Sequence, residues 1–216
     1  MNYKIAYIDE DNAWINTFYQ TFKDDFDIVK IQVGAGTTLE GIMKQIFDNN
    51  LDGVVTDFLL DESGIVNFNG NAIVDSIQSY KPYFPIIMLT SYEPQAISQM
   101  NDVNIINGKD ILDGEHEEQL EVLKSKIKSN IDRYYSKIKN TQDRIEILVR
   151  QKNDKSIQPN EEQELAKLFI LMDELEPEGK TIPANLIAVE SITQLNEFIT
   201  QTKSILEELK KRNANE

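Results

Sequence analysis

Asp57 ends the apolar run Leu51-Asp-Gly-Val-Val-Thr-Asp57, and the acidic Asp9-Glu10-Asp11 follows a second such run, Lys4-Ile-Ala-Tyr-Ile8. Thr90 and Lys109 come after two further apolar runs. Each of these residues sits where a strand should stop, and open α/β sheets bind ligands outside the carboxyl ends of their strands. Residues far apart in sequence can therefore share one pocket of carboxylates, a hydroxyl and an ammonium. Carboxylates from two strand ends can surround a small, hard divalent cation such as Mg²⁺, which prefers oxygen ligands and keeps several waters. A carboxylate can also attack an activated phosphoryl donor and form an acyl phosphate. Lys109 would offset the charge of that product, and Thr90 could hydrogen-bond a phosphoryl oxygen.

The elements that must position these groups are legible through about residue 112. Short β-branched runs at Lys4–Ile8, Ile28–Val33, Gly53–Thr56, Pro85–Leu89 and Val103–Ile106 alternate with amphipathic segments. That alternation predicts a parallel sheet wrapped by helices. Trp14, Phe18 and Phe22 recur four apart; Leu39, Ile42, Met43 and Ile46 mark a second helix; Ile73, Val74 and Ile77 mark a third; and Ala96 to Met100 gives a short fourth. Thr37-Thr38 is a plausible helix start, and Asp11 is as good a helix cap as a metal neighbour.

From Glu115 the composition turns to long helix-forming runs with scarce glycine. Leu120, Ile127, Tyr134, Thr141 and Leu148 fall seven apart, and Lys124, Ile131, Ile138 and Ile145 form an offset series. This is a heptad seam, weakened at Lys124 and Thr141, and it predicts one helix over about 115–151. A polar turn over 152–159, a helix over 161–175 capped by Asn160, a stop at Glu176-Pro-Glu-Gly179, a short turn at Pro183 and a helix over 191–212 complete the reading. The division expected is 1–114 for the α/β domain and 115–216 for a helical region. Within the latter, an antiparallel bundle or hairpin competes with a homodimeric coiled coil, because one seam serves both.

Composition removes several chemistries. With no cysteine and a single histidine, His116, neither a thiol nucleophile nor a zinc site built on several imidazoles is available. His116 stands among Glu115, Glu117 and Glu118 and reads as a solvated residue at a helix start. The net charge is −15, with residues 1–114 holding six lysines against 17 acidic residues. Lys124, Lys126 and Lys128 are interleaved with Ser and Ile on a helix rich in glutamate, so no nucleic-acid partner is expected. No apolar stretch approaches a membrane span, and the expectation is a soluble, unsecreted, cytoplasmic protein. Gly34-Ala-Gly36 lacks the third glycine of a dinucleotide loop and follows the second strand rather than the first.

The positions of these residues resemble the receiver domain of two-component response regulators over about residues 3–112. The resemblance implies a five-stranded parallel, flavodoxin-like fold followed by an all-α extension. It implies that Asp9 and Glu10 bind Mg²⁺ together with Asp57 and the carbonyl of Leu59, and that Asp57, in Val-Val-Thr-Asp-Phe-Leu-Leu, accepts the phosphoryl group. Thr90, in Pro-Ile-Ile-Met-Leu-Thr-Ser, matches the switch hydroxyl, Ser91 keeps the next position small, and Lys109 matches the family's lysine. The implied partners are a histidine kinase or phosphotransfer protein and a downstream protein, with a homodimer as one form of output. Any enzymatic activity would be limited to Mg²⁺-dependent self-phosphotransfer to Asp57 and slow self-dephosphorylation.

The chain also departs from the family pattern. Asp110 stands where a cis-bonded proline usually follows the lysine, and Ile106 replaces an aromatic switch residue. The loop Asp61–Gly70 is lengthened, and the 19-residue spacing from Thr90 to Lys109 implies a reduced fourth helix. Leu59 and Tyr92 occupy positions that tune hydrolysis of the acyl phosphate in this family, and their bulk predicts a phosphoform that decays slowly. These departures leave a second expectation open, a degenerate receiver serving as an unphosphorylated adaptor or scaffold.

Overall fold

The computed structural model describes residues 2–62, 64–154 and 157–177. The expected turn at Pro183 and helix over 191–212 lie outside them. Five parallel strands form one sheet: β1 (Lys4–Asp9), β2 (Asp27–Gln32), β3 (Gly53–Thr56), β4 (Ile86–Thr90) and β5 (Ile106–Gly108). The helices are α1 (Asn12–Phe22), α2 (Leu39–Asp48), α3 (Gly70–Tyr80), α4 (Glu93–Gln99), α5 (Glu117–Asp154) and α6 (Pro159–Leu175). The strand order is β2-β1-β3-β4-β5, the flavodoxin-like doubly wound order. Its direction reverses between β1 and β3, and this is where such sheets open a crevice at their carboxyl edge.

The pairing register carries the chemistry to that edge. Ile8 lies opposite Thr56 across β1 and β3, so Asp9 and Asp57 leave the sheet as neighbours. Thr56 pairs with Met88, and Thr90 with Gly108, which brings Thr90 and Lys109 to the same end. One face of the sheet buries Ile5, Tyr7, Val55, Ile87 and Leu89 under Ile15, Phe18 and Phe22 of α1 and Leu123, Ile127 and Ile131 of α5. Strand alternation turns Ala6, Ile8, Val54 and Met88 to the opposite side.

The helix starts follow their caps. Asp11 accepts from the Ala13 amide and Thr38 from the Gly41 amide, each satisfying a donor that the first helical turn leaves free. The fourth helix is short, seven residues. The expected strand over Val103–Ile106 is corrected: Val103–Ile105 is a 3-10 turn and the strand begins at Ile106. The Asp102 carboxylate accepts from the Asn104 amide at 2.9 Å, and this local bond competes with strand pairing.

Helix α5 has 38 residues, about 57 Å at 1.5 Å per residue. Its expected seam is its buried stripe, with Ile127, Ile131, Tyr134, Ile138, Thr141, Ile145 and Leu148 all buried. Lys124, the polar break in that seam, is ion-paired with Asp25 at 3.0 Å and Glu121 at 2.8 Å. The chain divides into two compact units at Asn140–Thr141. In the first, Lys128 also pairs with Asp25 at 2.7 Å, and Tyr3 and Tyr135 donate hydrogen bonds to Asp132 and Asp52. In the second, Arg144 makes a two-point ion pair with Glu164 at 2.7 and 2.8 Å, which ties α6 to the end of α5. The polar turn expected over 152–159 is shorter, because α5 continues to Asp154. The α6 cap falls at Gln158 rather than Asn160, since Pro159 suits the first helical position and Glu161 reaches back to the Gln158 amide at 2.8 Å. No helix among the described residues is long and apolar enough to cross a membrane.

Ile131 is fully buried whereas Val122 is 63% exposed on the same helix. Ile131→Ala is expected to cost about 2–5 kcal/mol in urea unfolding. Val122→Ala should stay within about 0.5 kcal/mol of the parent.

Candidate functional site

Asp9, Asp57, Thr90 and Lys109 are all buried at the carboxyl edge of the sheet, with Lys109 only 3% exposed. The Lys109 ammonium lies 2.6 Å from Asp57 Oδ2 and 2.8 Å from Asp9 Oδ2. Asp110 does not turn it away: Lys109 opens a 3-10 turn over Lys109–Asp113, and no cis peptide bond occurs among the described residues. Burial alone would lower the Lys109 ammonium, but the two carboxylates outweigh it and hold it above its ordinary value. Burial pushes the Asp57 carboxyl up, against the pull of Lys109.

The remaining lone pairs are largely taken by the protein. Asp57 Oδ1 accepts from the Phe58 amide at 2.6 Å, and the Thr90 hydroxyl also hydrogen-bonds to Asp57. Asp9 Oδ1 accepts from the Asp11 amide at 3.0 Å and Asp9 Oδ2 from the Tyr7 hydroxyl at 2.6 Å. Thr90 Oγ1 accepts from the Tyr92 amide at 3.1 Å. Ser91 is exposed just past β4, and Leu59 is half-buried in the loop after Asp57.

Glu10 is the exception. Its Oε2 is buried and has no hydrogen-bond partner. Desolvation, with Asp9 and Asp57 adding repulsion, pushes this carboxyl up to about 7. One oxygen from each of Asp9, Glu10 and Asp57 lies within 4.8 Å of the others. Three carboxylates face one ammonium, so the site carries excess negative charge and an unpartnered oxygen. A small, hard divalent cation fits that donor set.

Several residues that organise the site were not singled out by sequence reasoning. Asn69 Oδ1 accepts from the Leu60 and Asp61 amides at 2.8 and 3.1 Å and so pins the chain just after Asp57. Gly70 donates its amide to Phe58 at 2.7 Å, and a Cβ there would fall 1.9 Å from the Asp57 carbonyl oxygen. From the lengthened loop, Glu62 accepts from the Tyr92 hydroxyl at 2.8 Å. Tyr7 is two residues before Asp9 on the same strand, a spacing that places both side chains on one face.

No family model matches the chain, and no curated protein matches it. Among solved structures, the chain is similar to receiver domains of response regulators. A BeF3-activated DrrB receiver domain is 18% identical with a TM-score of 0.45, covering 59% of this chain and 99% of its own. The apo receiver domain of nitrogen regulatory protein C is 13% identical with a TM-score of 0.46, covering 62% and 97%. A DNA complex of the response regulator RcsB is 12% identical with a TM-score of 0.45, covering 81% and 92%. Identities this low speak at most for the fold, which the strand order already defines.

Two outcomes follow from this geometry. Gly70→Ala should force the Asp57–Phe58 backbone to move and cost about 1–3 kcal/mol in urea unfolding. Because the Glu10 carboxyl is raised in the folded chain, its contribution to stability is fully present below about pH 4.5 and is lost as the pH rises through about 7. Chemical unfolding of the metal-free protein between about pH 5 and pH 8 should therefore show a smaller loss in Glu10→Gln than in the parent.

Proposed function

We propose that the chain is a response-regulator-like signalling protein that accepts a phosphoryl group on Asp57 from a histidine kinase or phosphotransfer protein. The observation that carries this reading is the buried Lys109 ammonium shared by Asp57 and Asp9, with an unpartnered Glu10 oxygen beside them. Lys109 swings from Asp57 Oδ2 toward the incoming group and frees that oxygen to attack phosphorus. The bond from phosphorus to the donor's leaving group breaks, its electron pair departs with that group, and an aspartyl phosphate remains. Thr90 then hydrogen-bonds a phosphoryl oxygen, while exposed Ser91 leaves room beside it. Asp9, Glu10, Asp57 and the Leu59 carbonyl would hold Mg²⁺, which offsets charge on the transferring group. Water attacking the same phosphorus returns the free aspartate and inorganic phosphate.

Residues 1–114 take the signal in this reading and 115–216 deliver it by protein contact, to a downstream protein or to a second copy of the chain. The continuous α5 is the mechanical link. Its early turns pack on the sheet, so movement of Thr90 and Lys109 biases the helix between alternative packings.

A docking scaffold with an inert site is the second reading. It is favoured by one feature, the engagement of both Asp57 oxygens, by the Phe58 amide and by Lys109. A small acyl phosphate with Mg²⁺ separates the two. Intact-protein mass spectrometry should record a gain of one phosphoryl group that is abolished in Asp57→Asn, and the adduct should persist well beyond seconds. A full-length protein that gains no mass from this donor or from a kinase would support the scaffold.

A further inference from the structure

We infer that Tyr7 is a positioning residue for the cation site, a second buried donor that keeps Asp9 oriented when Lys109 leaves it. This inference rests on the phosphoacceptor reading of the same site and deepens it. Tyr7 lies inside β1 with no exposed surface, its ring stacked on Phe18 at 4.1 Å between centroids. The phenol cannot swing to solvent, and its hydroxyl donates to Asp9 Oδ2 at 2.6 Å.

The need for such a donor follows from the contacts of Lys109. One ammonium serves two carboxylates, and any charge that draws it toward the Asp57 side weakens its bond to Asp9. Asp9 has no exposed surface, and a buried carboxylate that loses the Lys109 ammonium would turn away from the site unless other donors held it. Tyr7 and the Asp11 amide meet that demand from the protein side, one on each carboxylate oxygen. Donors of this kind orient the carboxylates that ligate metals, and their loss commonly weakens binding by about 10–100-fold.

Tyr7→Phe removes only the hydroxyl and keeps the ring against Phe18. In the full-length protein, calorimetric titration with Mg²⁺ should show affinity about tenfold lower than the parent's. Ile5→Val is the control, a small core change on the same strand face that leaves the Tyr7 hydroxyl in place, and its affinity should stay at the parent value. Unfolding stability is measured for both. An affinity in Tyr7→Phe within about twofold of the parent, an equal loss in Ile5→Val at matched stability, or a parent that binds no Mg²⁺ would each overturn the inference. Phosphoryl uptake by the parent is read separately. If Asp57 takes no phosphoryl group yet Tyr7→Phe still weakens Mg²⁺ binding, the phosphoacceptor reading fails and the role of Tyr7 stands.

Discussion

An ammonium buried between two aspartates is tolerable only where the lone pairs around it are also satisfied, and the carboxyl edge of this sheet is organised to meet that condition. Lys109 supplies the charge, and the Phe58 and Asp11 amides, Thr90 and Tyr7 supply the other donors. The loops are shaped to hold those donors in place. Asn69 fixes the backbone beyond Asp57, and Gly70 lets α3 approach the Asp57 carbonyl more closely than any side chain would permit. Among the described residues only Glu10 has a buried oxygen with no partner inside the protein, and that imbalance leaves a donor set that fits a cation.

The strands that carry this edge share their core with the early turns of α5. Leu123, Ile127 and Ile131 pack in the cluster that contains Tyr7, Phe18 and Leu89, so the helix and the strands bearing the site share one core. Interiors packed this closely pass small displacements on rather than absorbing them. The polar clips on the same helix, Lys124 and Lys128 on Asp25 and Lys126 on Asn104 and Asn107, are near the surface and easier to exchange. The helix thus has a tight apolar seat on the sheet and polar fastenings nearer the surface.

Much of this was legible in the sequence because charged or hydroxyl residues closing apolar runs mark strand ends. Asp9, Asp57 and Thr90 announce themselves that way, and the β3 bounds of Gly53–Thr56 are those expected. The fifth strand was displaced because Val103-Asn-Ile105 has the composition of a strand, while Asp102 caps its backbone into a turn. Tyr7 was passed over because a tyrosine within an apolar run reads as packing, and its polar tip matters only once a carboxylate is known to lie beside it. Asn69, Glu62 and Gly70 act through a lengthened loop, whose path no periodicity encodes. On α5 the seven-residue spacing located the buried stripe correctly, but that spacing is blind to whether strands or other helices cover it.

Trp14, on the first helix, lies 5.2 Å from the Lys109 ammonium, measured to the centre of its ring, and it is the sole tryptophan of the chain. An indole that close to a cation feels its field, so its emission depends on where the ammonium sits. Any event that draws Lys109 across the site moves a unit charge relative to the lone indole of the chain. The protein thus carries an optical gauge of where that ammonium sits, readable in solution without a label.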